Sequence, residues 1–242
     1  KFSDKTIEEI REVELNDFSD IIKEVGKQET EYMNRNEILD GLNTKTIGKE
    51  LYLFKEVMST NTVAKFLSEN DVSNGTVIIS EKQSGAKGRL GKSWESPLGG
   101  IWLSLVVKPN VDHSKIPMIT LATGVAVVKT LERIGIENAE IKWPNDVMIN
   151  DKKVCGILTE AITKFNSIES VIIGVGIDAN FDVNVLSKEL QEGTTTLDIE
   201  LGHRVNENEI IRFFLEEFER IGILFEEGGF ERILKEWRKY SY

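Results

Sequence analysis

Lys87, Arg89 and Lys92 sit within Gln83-Ser-Gly-Ala-Lys-Gly-Arg-Leu-Gly-Lys-Ser-Trp94, where Gly85, Gly88 and Gly91 recur at every third position. Glycine admits positive φ and removes the Cβ that would hold a ligand off the backbone. Alternating cations with such residues suits phosphate or carboxylate, which need charge and open amides together. Trp94 adds a flat apolar face. A second segment, Lys142-Trp-Pro-Asn-Asp146, precedes Lys153-Val-Cys-Gly156. Its proline interrupts strand pairing, so Asn145 and Asp146 emerge at a corner. An aspartate there suits a divalent cation, and Lys153 suits a reacting carboxyl or phosphoryl oxygen. Each segment also has a plainer reading. The first reads as a surface loop with solvated cations, and the second as a structural Trp-Pro corner beside an exposed hairpin lysine. The glycine spacing matches neither the dinucleotide fingerprint nor the Walker loop. His113 and His203 are isolated, Cys155 lies among apolar residues, and Ser59 has no base beside it. Metal-ligand clusters and serine nucleophiles are therefore not expected.

The chain that must position these groups has 242 residues, 40% apolar and 29% charged, enough for a sizeable core. Its net charge is -11, from 30 Lys and Arg against 41 Asp and Glu, which argues against DNA as a partner. One cysteine permits no internal disulfide and points to a reducing cytoplasm. No run approaches the roughly 18 apolar residues of a membrane span. The start, Lys1-Phe-Ser-Asp4, has neither a signal-peptide pattern nor an initiator methionine, so the sequence reads as a fragment.

Apolar spacing through Ile7, Ile10, Phe18, Ile21, Ile22 and Val25 predicts amphipathic helices. Residues 1–50 read as an N-terminal helical appendage and linker, and residues 51–242 as the main domain. Strands are predicted at 51–54, 76–79, 101–107, 139–143, 146–149, 153–161 and 171–177. Helices are predicted from Ser59 or Thr60 as N-cap, over 116–131 with a close contact at Gly124, over 207–225 and over 230–237. Asn150-Asp151 reads as a hairpin turn. Strands cluster without regular strand–helix alternation, so the expected class is α+β with a mixed, largely antiparallel sheet.

In order and spacing, the segments from about Glu37 to Tyr240 resemble the biotin protein ligase family. The match rests on Ser59-Thr-Asn61, Gln83 to Trp94, Ser96-Pro-Leu-Gly-Gly-Ile-Trp-Leu-Ser104, Lys142-Trp-Pro-Asn-Asp146, Lys153-Val-Cys-Gly-Ile-Leu158 with Glu160, and Gly174-Val-Gly-Ile177. The resemblance implies the catalytic fold shared with class II aminoacyl-tRNA synthetases. It implies ATP and Mg2+, biotin as substrate, and transfer of biotin from biotinyl-adenylate to a lysine of a biotin carboxyl carrier protein. It assigns Ser59, Thr60, Gln83 and Lys87 to biotin, with Gly156, Gly174 and Gly176 lining the pocket where bulk is forbidden. Lys87 again, Arg89, Lys92, Trp94, Asn145 and Asp146 fall to the nucleotide, with Asp146 placing magnesium and Arg89, Asp146 and Lys153 as the catalytic residues. Lys153 would touch the biotin carboxylate and then the adenylate. A homodimer formed through sheet edges is a further expectation. Lys87 stands where the family usually has Arg, Ala86 where it has Gly, and Asp178 where it has Asn; no role is assigned to Asp178. The family's C-terminal SH3-like domain is expected to be absent or truncated. Residues 1–36 show no recognition helix and wing, so repression is not expected. The alternatives are a lipoate–protein ligase-like enzyme and a biotin-sensing transcriptional regulator.

Overall fold

The computed structural model describes residues 25–26, 30–70, 72–109, 113–165 and 167–242. The helices expected from Ile7 to Val25 fall almost wholly outside these residues.

Seven strands form one sheet: β1 (Leu51–Val57), β2 (Thr76–Gln83), β3 (Ile101–Val107), β4 (Ala139–Lys142), β5 (Asp146–Ile149), β6 (Lys152–Lys164) and β7 (Ser167–Ile177). Their order is β1-β2-β3-β7-β6-β5-β4. Only β1 and β2 pair in parallel; the other pairs are antiparallel. A parallel pair needs a crossover, and helix α2 (Thr60–Glu69) supplies it. The β5–β6 hairpin turns at Asn150 and Asp151, both at positive φ (50° and 65°) as short side chains allow.

The other helices are α1 (Arg35–Leu39), α3 (Ile116–Arg133), α4 (Lys188–Gln191), α5 (Leu197–Leu201) and α6 (Glu207–Lys239). Sequence spacing predicts two helices here, and α6 is two helical segments that meet at a kink at Gly229 (φ 62°, ψ -165°). Gly124 of α3 faces Ile141 of β4, where an added Cβ would sit at ordinary contact distance, 3.4 Å.

Side chains alternate across the sheet with period two. Val77, Ile79, Leu103, Leu105, Ile173 and Val175 join α3 and α6 in the main core. Ile78, Val106 and Ile172 point the other way and pack under Val63, Ala64 and Leu67 of α2. α2 covers only part of that second face. The rest, carrying Ser104, Asp146, Gly156, Gly174 and Gly176, is where the site lies.

Met33, Ile38 and Ile47 enter the main core, so residues 30–50 pack as part of the body. The Glu219 carboxylate accepts from the backbone N–H groups of Lys45, Thr46 and Ile47. The chain itself meets both outer strands. Leu53 N donates to Gly26 O on β1; Ile141 N donates to Tyr240 O, and Tyr242 N to Ile141 O, on β4. No helix among the described residues is long and apolar enough to cross a membrane.

Candidate active site

The basic glycine loop is a narrow hairpin. Gln83 N donates to Ser96 O (3.1 Å), Trp94 N to Ala86 O (3.0 Å) and Gly88 N to Lys92 O (2.7 Å). At its tip Leu90 takes φ 59° and is 94% exposed, and Gly91 follows at φ 74°. Gly85 lies against Met58, whose Cγ would be 2.8 Å from an added Cβ. The loop stands over the uncovered sheet face and reaches the second segment, where Arg89 Nη1 donates to Asn145 Oδ1 (3.1 Å). A cis Trp143–Pro144 bond forms the corner. Asn145 Nδ2 in turn donates to Asp146 Oδ1 and to Ile157 O, both at 3.1 Å.

Between loop and sheet is a cavity of about 500 Å³. Ser59, Thr60, Gln83, Lys87, Arg89, Lys92, Trp94, Asn145, Asp146, Lys153, Gly156, Gly174 and Gly176 all line it. The structure thus gathers every residue singled out from sequence. Asn61 and Asp178, to which the sequence reading assigned no role, also line the cavity. Ser104 stands behind it, a lone hydroxyl in the apolar strand β3. That isolated polarity was the available signal, since a buried hydroxyl needs a partner.

Two ends of the cavity differ in chemistry. At the open end Lys153 Nζ contacts Asp146 Oδ1 (2.6 Å) and lies 4.8 Å from the centre of the Trp94 ring. Trp94 is braced edge-on by buried Trp102, with centroids 6.2 Å apart. Lys87, Arg89 and Lys92 add charge from the loop. Asp178, which directly follows β7, is 4% exposed. Burial pushes its pKa well above the usual carboxylate range, against the opposing pull of Lys153. Burial likewise raises the thiol of Cys155, which is inert in the core.

At the inner end Ser59 occupies the N-cap of α2, but its side chain makes no capping bond. Gln83 Oε1 instead accepts from Thr60 N (2.8 Å), while Gln83 Nε2 donates to Ser96 Oγ (2.9 Å). Three oxygen–oxygen contacts follow in line: Gln83 Oε1 to Thr60 Oγ1 (3.1 Å), Thr60 Oγ1 to Ser104 Oγ (2.7 Å), and Ser104 Oγ to Asn61 Oδ1 (2.6 Å). Each hydroxyl carries one proton and the two amide oxygens carry none. Two protons cannot serve three contacts. This end is one donor short, so it favours a ligand that brings an N–H.

The glycines are accounted for by side chains of the protein itself. A Cβ on Gly174 would lie 2.3 Å from Asn61 Oδ1, and one on Gly156 or Gly176 would strike the Trp94 ring at 2.9 or 2.8 Å. Among the described residues no three His, Cys, Asp or Glu side chains gather to hold a metal. Asp146, whose Oδ1 is engaged by Lys153 and Asn145, is a single carboxylate that would suit a magnesium ion carried chiefly by ligand phosphates and water.

Residues 53–178 match the model of the biotin/lipoate A/B protein ligase family. The chain is 35% identical over 222 residues to the bifunctional ligase/repressor BirA of Bacillus subtilis, covering 91% of this chain and 67% of that relative. It is 27% identical to the biotin–[acetyl-CoA-carboxylase] ligase of Paracoccus denitrificans, covering 74% of this chain and 75% of the relative. The solved biotin protein ligase of Aquifex aeolicus in complex with biotin and ATP superposes with a TM-score of 0.71 at 30% identity. That likeness covers 80% of this chain and 78% of the other.

Proposed function

Since the chain belongs to the biotin/lipoate A/B protein ligase family, we propose that it is an ATP-dependent biotin–protein ligase. It forms biotinyl-adenylate and passes the biotinyl group to a lysine of a carboxyl carrier domain. The observation that carries this reading is the two-ended cavity, with a donor-short polar end and a cationic end. Biotin has the matching ends, a ureido group with two N–H donors and a carboxylate. Lipoate offers a carboxylate but no N–H, so the lipoate alternative leaves the inner end unsatisfied.

In the first step a biotin carboxylate oxygen attacks the α-phosphorus of ATP, and the bond to the pyrophosphate leaving group breaks. Two anions must meet, so their repulsion has to be cancelled. Lys153 is placed to bridge the carboxylate and the α-phosphate, exchanging part of its contact with Asp146 for the ligand. Arg89, Lys87 and Lys92 face the phosphates from the loop. Asp146 would hold a magnesium ion brought in with ATP, whose charge would offset that of the phosphates. Trp94 offers its ring beside the adenine, and Asn145 fixes the loop to the nucleotide side through Arg89. The loop also shields the labile mixed anhydride from water. In the second step the neutral amine of the carrier lysine attacks the acyl carbon. The carbon–oxygen bond to AMP breaks, and the amine loses its proton.

Ser59, Thr60 and Gln83 hold the ureido group. The lone buried Cys155 agrees with a reducing cytoplasm. A homodimer that pairs sheet edges would compete with the contacts at Leu53 and Ile141. A regulatory role is the second reading, favoured by the ligase/repressor relative, although a net charge of -11 opposes DNA binding by these residues. The test is mass spectrometry of a carrier domain incubated with the protein, ATP and biotin. One biotinyl group per carrier is expected, and none when lipoate replaces biotin. An unmodified carrier in the biotin reaction would overturn the proposal.

A further inference from the structure

Glu160 does not line the cavity. Its Oε2 accepts from Asn61 Nδ2 (2.7 Å), and its Oε1 accepts from Lys65 Nζ (2.6 Å). An ionised carboxylate has only acceptors to offer. Asn61 must therefore turn its NH2 toward Glu160 and its oxygen toward Ser104. Ser104 must then donate to Asn61, at 2.6 Å. Its oxygen can then only accept; the single Thr60 proton has two oxygens in reach, Ser104 Oγ at 2.7 Å and Gln83 Oε1 at 3.1 Å, and goes to the nearer. With that proton spent, Gln83 Oε1 holds only the Thr60 N–H and keeps a lone pair open.

We propose that Glu160 is a positioning residue for substrate choice: through Asn61 and Ser104 it keeps the inner end of the cavity short of one proton and so selects a ligand with an N–H group. This inference rests on the biotin reading above. Lys65 fixes the orientation from the far side, because an ammonium can only donate. Gly174 leaves the room this amide occupies, since even a methyl group there would displace Asn61.

The charge logic makes the substitution Glu160→Gln directional. Lys65 keeps the new amide's oxygen, so its NH2 faces Asn61. Asn61 must then flip and donate to Ser104. That supplies the missing proton, and each oxygen contact down the line is satisfied. Gln83 Oε1 then holds both the N–H and the hydroxyl of Thr60, and the ligand's N–H loses its open acceptor. Removing Lys65 as well frees the amide at 160 to turn its oxygen back to Asn61. The double variant Glu160→Gln, Lys65→Met should therefore recover what the single variant loses.

The test is calorimetric titration of the full chain with biotin, alongside KM and kcat for biotin in adenylation. Glu160→Gln should weaken biotin binding about tenfold or more, the scale of one lost buried hydrogen bond. KM for biotin should rise with little change in kcat or in ATP affinity. The double variant should return to within about threefold of the wild type, since the hydrogen bond is restored. Wild-type biotin binding with an unchanged Glu160→Gln variant would overturn the inference alone. A weakened single variant with no recovery in the double variant would overturn it too, by showing a merely structural role. Failure of the wild type to bind biotin would remove the substrate reading and this inference together.

Discussion

Gly156 and Gly176 face each other across the β6–β7 ladder, and the Trp94 indole lies on the bare patch they leave. Two missing side chains on neighbouring strands thus make room for one large ring. A Cβ at either position would come within 3 Å of that ring. Gly156→Ala or Gly176→Ala should lift Trp94, at a cost of about 1–3 kcal/mol in stability. Adenylation should fall about tenfold or more as the Trp94–Lys153 contact is lost. Tryptophan emission and pyrophosphate release, read together, check this. An unaltered emission spectrum with full turnover would contradict it.

Lys153 is the cation that meets Trp94 at the open end of the cavity, paired with Asp146 at 2.6 Å. Lys153→Ala should lower adenylation on the order of a hundredfold or more, the scale of losing one preorganised charge. The variant also leaves Asp146 unpaired, so its melting temperature should be recorded beside the rate. Turnover near the wild-type value would remove Lys153 from the chemistry.

Asp178 gives the site a pH signature. Its folded pKa is raised by burial, so the folded state holds a proton that the unfolded state has released. The favourable contribution is fully present below the unfolded value of about 3.9. It is lost as pH rises through the folded value. Asp178→Asn should therefore gain stability relative to wild type as pH rises through that window. Denaturant titrations of both proteins across a pH series check the sign. Parallel curves would show that Asp178 ionises as freely in the folded chain as in the unfolded one.

Glu219 ties residues 45–47 to α6 through three backbone N–H groups. These bonds favour its charged form, and its pKa is lowered although burial acts the other way. Glu219→Ala should cost about 2 kcal/mol, as for hydrogen bonds to a charged group. Because the folded pKa is lowered, the wild-type advantage is present above the unfolded value and fades as pH falls through the folded one. Thermal unfolding at neutral and acid pH would show this, and an equal melting temperature at neutral pH would refute it.

Much of the architecture was legible in sequence because its strands are bounded by turn residues and its long helices are strongly periodic. The α+β class and the mixed sheet followed from that pattern, as did the hairpin at Asn150-Asp151. The two basic segments were visible as chemistry, but composition could not show that Arg89 reaches Asn145. That contact spans 56 positions and depends on sheet order. The glycines of β6 and β7 read as space for a ligand, whereas Trp94 and Asn61 fill that space. Residues 30–50 read as an appendage because their many polar residues hide Met33, Ile38 and Ile47, which are too widely spaced to show periodicity. The line from Gln83 to Glu160 was illegible because its members lie on α2 and strands β2, β3 and β6.

The most direct test of the two-ended cavity is pyrophosphate release by the purified protein given ATP and magnesium, with and without biotin. Release should require biotin, should not be replaced by lipoate, and should fall on the order of a hundredfold in Lys153→Ala. No release with biotin, or equal release with lipoate, would contradict the account.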